Sequence, residues 1–291
     1  MSSFLLLACL APSTADEART ETPAVDSAVI DDSGQTGGDT GGSDDTGDPP
    51  EVPDYSQPGP LSTSTHQDTR VTTSGCTLVS TVVAPEQPVD RVILLHGFMR
   101  SGQNMLGWAE HLASWGLEVQ VPDLCWSGLT PNPELNAQDV LELAGGEPVA
   151  LVGHSAGGLS ALIAGASGQV KALVGLDPVE QQGQDHSLLS GQVSAPTLAL
   201  FGSPGSCNAE GNGVALYLAV PGSDLYDLVG AGHCDFESPT DGLCEAFCAG
   251  PQSEVSDESR RQALAGLVTA WVLQDHIDAQ LQRHPGVLIE R

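Results

Sequence analysis

Apolar residues along this chain fall in short continuous runs separated by longer amphipathic stretches. Arg91–Leu95 is apolar from Val92 onward and stops at His96-Gly97, as a buried central strand does. Gln103–Ser114 is patterned as a helix, and Leu117–Val121 as a strand stopped by Pro122. Asn132–Leu143 reads as a helix, opened by Asn-Pro and closed by Gly145-Gly146. Val149–Val152 predicts a strand that passes at Ser155 into a helix reaching about Ala166. Val170–Leu176, Pro196–Phe201 and Leu225–Val229 predict three more strands. Ser259–Gln282 reads as one closing helix with Leu264, Leu267, Val268, Trp271 and Val272 on one face. Upstream, Val71–Thr73 and Thr77–Val83 suggest short β segments around Gly75. No internal repeat is evident. The alternation predicts an α/β domain with a mainly parallel sheet covered by helices on both faces.

The pattern differs before residue 58. Residues 10–57 are dominated by Gly, Asp, Thr and Ser, with little to bury. Such a composition does not offset its chain entropy, so it reads as a disordered acidic linker ahead of a domain at 58–291. Phe4–Leu10 is apolar but too short to span a bilayer; it suits the core of a signal peptide. Leu6-Leu7-Ala8-Cys9 resembles a bacterial lipobox, with Cys9 as the lipidated residue, although no Lys or Arg precedes the apolar run. The expectation is a leader at 1–9 and an exported, membrane-anchored lipoprotein, periplasmic or at the cell surface. A plain signal peptide and secretion is the alternative.

Charge narrows the partners. Nine basic residues stand against 38 acidic ones, a net charge of −29. Asp16 to Asp54 holds twelve acids and one base, −11 of that total, so the folded part is acidic too. Such a surface repels nucleic acid and anionic head groups. Aromatics are only 4% of the chain, so the core rests on Leu, Val and Ala. Cys9 aside, the cysteines are Cys76, Cys125, Cys207, Cys234, Cys244 and Cys248. An even number in an exported chain suggests disulfides, and six allow fifteen connectivities. A zinc site is the weaker reading, because no Cys-x-x-Cys knuckle is present.

The chemistry concentrates at Val149-Ala150-Leu151-Val152-Gly153-His154-Ser155-Ala156-Gly157-Gly158. A Gly-x-Ser-x-Gly between an apolar strand and a small-residue helix is what a nucleophile elbow requires. There Ser155 is the candidate nucleophile. The Ala156 N–H, at a helix start, is a candidate oxyanion donor. The loop after Leu94-Leu95, His96-Gly97-Phe98, offers the Phe98 N–H as the second donor; His96 itself reads as a loop-shaping residue. Of eight histidines, His233 in Gly230-Ala231-Gly232-His233 follows the last predicted strand and is the candidate base. His154 reads as locked beside the nucleophile, pointing away from the task. Asp177, at a strand end before Pro178, is the favoured acid, with Glu210, Asp235 and Asp227 as alternatives.

Five segments resemble the chlorophyllase-like branch of the α/β-hydrolase superfamily, related to dienelactone-hydrolase-like enzymes and polyesterases. They are His96-Gly97-Phe98, Gly153–Gly158, Gly175-Leu176-Asp177-Pro178-Val179, Cys207–Asn212 and Gly232-His233-x-Asp235-Phe236. The resemblance spans roughly residues 70–275. It implies an α/β-hydrolase fold with no large cap domain and favours Asp177 over the later acid position. It also implies carboxylic-ester hydrolysis through an acyl-enzyme, with Ser155 attacking, His233 moving the proton and Asp177 orienting His233. Phe98 and Ala156 would hold the oxyanion. No metal or organic cofactor is implied. The substrate would be a small-molecule, lipid or polymer ester, with the membrane met only through the anchor. An exported acidic chain does not suit chlorophyll, so the triad carries over and the substrate does not. Rival readings are a lipase, thioesterase or acyltransferase using the same triad, and a non-catalytic binding lipoprotein on a hydrolase scaffold.

Overall fold

The computed structural model describes residues 51–291; the leader, Cys9 and the linker up to residue 50 lie outside the described residues. Six strands run parallel in the centre of one sheet: β3 (Asp90–Leu95), β4 (Leu117–Pro122), β5 (Val149–His154), β6 (Val170–Leu176), β7 (Thr197–Phe201) and β8 (Asp224–Leu228). An antiparallel pair, β1 (Thr63–Val71) and β2 (Thr77–Pro85), extends one side, and β9 (Leu288–Glu290) runs antiparallel to β8 on the other. The order is β1-β2-β4-β3-β5-β6-β7-β8-β9. The expected α/β architecture, with a mainly parallel sheet flanked by helices, is therefore present.

Alternation along each strand divides the core in two. In β3, Val92 and Leu94 face one layer while Ile93 and Leu95 face the other, all with no exposed surface. The first layer packs against α1 (Leu106–Ser114) and α7 (Asp257–Leu273). The second packs against α2 (Pro133–Ala144), α3 (Ala156–Gly165) and α5 (Gly213–Leu218), the one-turn α4 (Ser187–Ser190) lying between the last two in the chain. Both faces of β3 and β5 to β7 are thus dry over most of their length, which is why they read as continuous apolar runs. Asn132 caps α2 by accepting the Leu135 N–H at 2.9 Å, and Gly145 closes it in the left-handed region.

Three elements differ from the sequence expectation. Val71–Thr73 is not a strand of its own. Val71 ends the nine-residue β1, and Thr72–Cys76 forms the turn into β2, with Thr72 N–H donating to Cys76 O at 2.9 Å. β1 carries no buried residue, so no apolar periodicity marked it. Gln103–Ser114 begins with a 3-10 turn at Gly102–Met105 before α1. The closing helix is broken: α7 ends at Leu273, and α8 spans Ile277–Arg283. Gln274 and His276 both adopt left-handed backbone, at φ 54° and 51°. The break sets Asp275 to accept the Tyr55 hydroxyl at 2.6 Å. Tyr55 is 4% exposed and meets Trp115 edge-on at 4.7 Å. Packing onto the domain therefore begins ahead of residue 58.

The cysteines pair as Cys76–Cys125, Cys207–Cys248 and Cys234–Cys244. The sulfurs of Cys234, Cys244 and Cys248 lie within 4.8 Å of one another. All three are bonded in disulfides, which leaves no thiolate to hold a metal. The bonds are compatible with an exported protein. No described helix is long and apolar enough to cross a membrane.

Candidate active site

All six central strands end at one edge of the sheet, and the candidate residues stand on the loops that follow them. Ser155 sits between β5 and α3 at φ 56°, ψ −124°, an uncommon conformation for a residue with a Cβ. Close neighbours over-determine it. A Cβ on Gly157 would lie 2.5 Å from the carbonyl oxygens of Leu95 and His96, and one on Gly97 would lie 2.9 Å from the Ser155 Cβ. Only glycine lets the β3 loop and the α3 start approach this closely. The Ser155 backbone is stapled to the loop after β6: its N–H donates to Leu176 O at 3.0 Å, and its carbonyl accepts from Val179 N–H at 3.2 Å. These two bonds bracket Asp177, itself at φ 42°.

Asp177 is 1% exposed and receives the His233 Nδ1–H at 2.6 Å. That bond fixes the tautomer and leaves Nε2 free to accept a proton. The carboxylate is held from behind by the Gly202 N–H at 3.0 Å and by the Asn208 amide at 3.1 and 3.3 Å. Asn208 is 1% exposed, and its oxygen accepts from Gly205 N–H at 2.8 Å and Gly211 N–H at 3.2 Å. This buried amide therefore has no choice of orientation.

The alternative acids are elsewhere. Glu210 is exposed. Asp235 accepts the Gly232 N–H at 2.7 Å, and Asp227, within β8, pairs with Arg291. The structure thus joins Asp177 and His233 and seats Ser155 next to their loop. Among the described residues, the Ser155 hydroxyl makes no hydrogen bond to His233. Bonds of this kind often tighten only when substrate is present.

Two backbone donors belong to residues that line the cleft with Ser155, Phe98 and Ala156. Phe98 N–H has no acceptor among the described residues, because the loop turns at Met99 (φ 56°), whose own N–H goes to Ser127 O at 2.8 Å. Ala156 N–H opens α3, where no preceding helical carbonyl can reach it. His96 braces this loop. Its Nε2 accepts the Leu124 N–H at 2.9 Å, so Nδ1 carries the proton that goes to Gly97 O at 2.9 Å. Burial pushes its pKa down, which suits that neutral form.

The cleft over Ser155 holds about 540 Å³. Phe98, Trp126, Leu159 and Val179 give it an apolar wall. Glu180 also lines it, but one Glu180 oxygen takes the His186 Nδ1–H at 2.6 Å, and His186 reaches Glu134 on α2 at 3.1 Å. His186, in a loop of polar sequence, therefore ties the two walls together.

Three supporting residues carry no local sequence signal. His154 is fully buried; its ring lies 4.6 Å from that of His233, and its Nε2–H donates to the His233 carbonyl at 3.1 Å. Desolvation first, and the His233 charge second, push its pKa well below the ordinary imidazole value. His154 is thus a neutral prop under His233. Arg100, two residues after Phe98, grips Glu237 at 2.6 and 2.5 Å and Asp241 at 2.8 Å. The Glu237 side chain is 1% exposed. This pair ties the loop after β3 to the loop that carries His233. Arg100→Ala leaves Glu237 buried and unpaired, so it is expected to destabilise the fold by about 3 kcal/mol. Urea unfolding measures it, and a loss under ~1 kcal/mol would show the pair to be idle.

Two disulfides clasp the same region. Cys234 follows His233 and bonds Cys244, while Cys207 precedes Asn208 and bonds Cys248. Both reach α6 (Gly242–Cys248), which has no buried residue and is held by these bonds. Cys207→Ser/Cys248→Ser opens a link across 41 residues, and should lose about 2–4 kcal/mol. An unchanged unfolding midpoint in non-reducing urea titration would refute this.

Comparison of the chain with protein-family models and with curated proteins finds no match.

Proposed function

We propose that the chain is a serine hydrolase of the α/β-hydrolase fold, cleaving carboxylic esters through an acyl-enzyme. The observation that carries this is the 2.6 Å bond from His233 Nδ1 to a buried Asp177, on loops pinned to the Ser155 elbow. Ser155 Oγ attacks the ester carbonyl while His233 Nε2 takes its proton. The oxyanion is met by the Phe98 and Ala156 N–H groups, each worth about 10²–10³ in rate. His233 then protonates the departing alcohol, and water hydrolyses the acyl-enzyme by the reverse sequence. The strand order, with six parallel strands and an antiparallel β2 beside β4, supports the hydrolase fold. The chlorophyllase-like segments support the branch, without chlorophyll as substrate. Three disulfides support export, with Cys9 lipidation as the proposed anchor.

The test is labelling of the folded, oxidised full chain with a fluorophosphonate, followed by peptide mapping. A stoichiometric adduct on the peptide holding Ser155 is expected. A folded sample that neither labels nor turns over any ester would favour the binding-lipoprotein reading.

A further inference from the structure

His186 stands in the loop after β6, 6% exposed, with a carboxylate on each ring nitrogen. Nδ1 lies 2.6 Å from Glu180, and Nε2 lies 3.1 Å from Glu134 at the start of α2. A neutral imidazole has one N–H and one lone pair, so it can serve only one of two ionised carboxylates. Both bonds together require the imidazolium. The two partners differ in how firmly they are held. The Glu180 side chain is 13% exposed and also accepts the Gln181 N–H at 3.0 Å and the His186 N–H at 3.3 Å. The Glu134 side chain is 52% exposed, and among the described residues His186 is its one hydrogen-bond partner. Other charge near the ring is slight. Asp185 is exposed and accepts the Ser187 N–H at 3.0 Å, and α3 and α5, which pack against α4, carry no charged residue. Pro133 and Asn136 of α2 line the Ser155 cleft, and so do Val179, Glu180, Gln181 and Gln182. The bridge therefore joins two parts of its wall.

We infer that His186 is a specificity-determining residue of the ester-cleaving site: as the imidazolium it straps the loop after β6 to α2 and keeps the Ser155 cleft narrow, and as the neutral imidazole it releases Glu134 and lets the cleft take wider acyl groups. The inference rests on the serine-hydrolase reading. The acyl carbon becomes bonded to Ser155 Oγ, so the acyl chain starts in the cleft that Ser155 lines. On deprotonation the Nε2 proton goes to water, because Nδ1 keeps the shorter bond to the more buried Glu180. The bare Nε2 lone pair then faces the Glu134 carboxylate, which turns out into solvent, where it is already half exposed. Burial alone would push the His186 pKa down; the bonds to Glu134 and Glu180 outweigh it, and the pKa stands above the ordinary imidazole value. With a raised folded-state pKa, the strap is fully closed below about pH 6.5, the unfolded value. It is lost as the pH rises through the folded one. The coupling is reciprocal: a wide acyl group that binds the open cleft lowers the pKa of His186.

The experiment uses the oxidised full chain with p-nitrophenyl butanoate and p-nitrophenyl 4-phenylbutanoate, which share a leaving group and differ in the width of the acyl end. The readout is the ratio of their kcat/KM values, wide over slender, at about pH 6 and about pH 9. Titration of His233 in the free enzyme acts on both esters alike and cancels in this ratio. In wild type the ratio should rise about fivefold from the lower pH to the higher. Glu134→Ala cuts the outer arm of the strap and leaves its buried end in place, so its ratio should sit at the high value at both pH. His186→Gln, which never carries a charge, should do the same. A wild-type ratio that does not move with pH, or one that moves equally in Glu134→Ala, overturns the strap while the hydrolase reading stands, because both esters still turn over. A folded wild type that turns over neither ester and takes no fluorophosphonate overturns both.

Discussion

Ser155→Ala is expected to lower kcat/KM for ester hydrolysis by about 10⁶-fold, the scale on which loss of a triad serine acts in subtilisin. Among the described residues the hydroxyl makes no hydrogen bond, so its removal strands no partner there. Unfolding free energy should therefore stay within about 0.5 kcal/mol of wild type. A fold that stands while turnover vanishes separates chemistry from structure. The rate is followed with p-nitrophenyl butyrate and the stability with urea. Residual activity above one part in about a hundred would place the nucleophile elsewhere.

Asp177→Asn is the second large effect, expected at about 10³–10⁴ in kcat/KM, by analogy with the same change in a serine-protease triad. The cause is directional. Asp177 accepts four hydrogen bonds from three groups, the Gly202 N–H, the Asn208 amide (to both oxygens) and the His233 Nδ1–H. An Asn side chain must turn an NH₂ toward one of these donors. Turned toward His233, it requires Nδ1 to accept, and the imidazole proton moves to Nε2, where a base needs a lone pair. Turned toward Gly202 and Asn208, it sets donor against donor in a buried site. Glu210→Gln, Asp235→Asn and Asp227→Asn should each stay within about threefold of wild type. A near-normal rate for Asp177→Asn, or a collapse in one of the other three, would reassign the acid.

The parts of this fold legible in the chain are those whose cause is local. β3 and β5 to β7 are buried on both faces over most of their length, so they announce themselves as apolar runs. The elbow needs small residues within five positions, and Gly153–Gly157 supplies them. β1 gave no such signal because an edge strand is held by backbone pairing alone, and Thr63–Val71 buries nothing. The break at Gln274–His276 was hidden because neither residue is glycine; its purpose is a contact with Tyr55, 220 positions away.

Long-range partnership hid the support of the site as well. His154 looks locked by its neighbours, yet its proton serves the His233 carbonyl 79 residues on. Arg100 and Glu237 are unremarkable charges until the two loops meet. Asn208 drew notice only as part of a Cys-containing stretch, and its hold on Asp177 is made by a kinked loop where Ala209 and Glu210 also adopt left-handed backbone. Six cysteines offered fifteen pairings, and only the distances between loops choose among them.

The backbone at Ser155 has a consequence for how such a chain changes over time. A residue with a Cβ held at φ 56°, ψ −124° stores about 1–3 kcal/mol. Ser155→Gly removes the Cβ and the hydroxyl together. Part of the gain is lost to the freer unfolded chain, roughly 0.4–1 kcal/mol. The glycine variant should still unfold at a higher temperature than either wild type or Ser155→Ala, which keeps the Cβ. Calorimetry of the three proteins would show it. Drift alone therefore pushes this position away from serine, and a duplicate freed from selection for turnover would grow sturdier as it lost the residue that gives it chemistry.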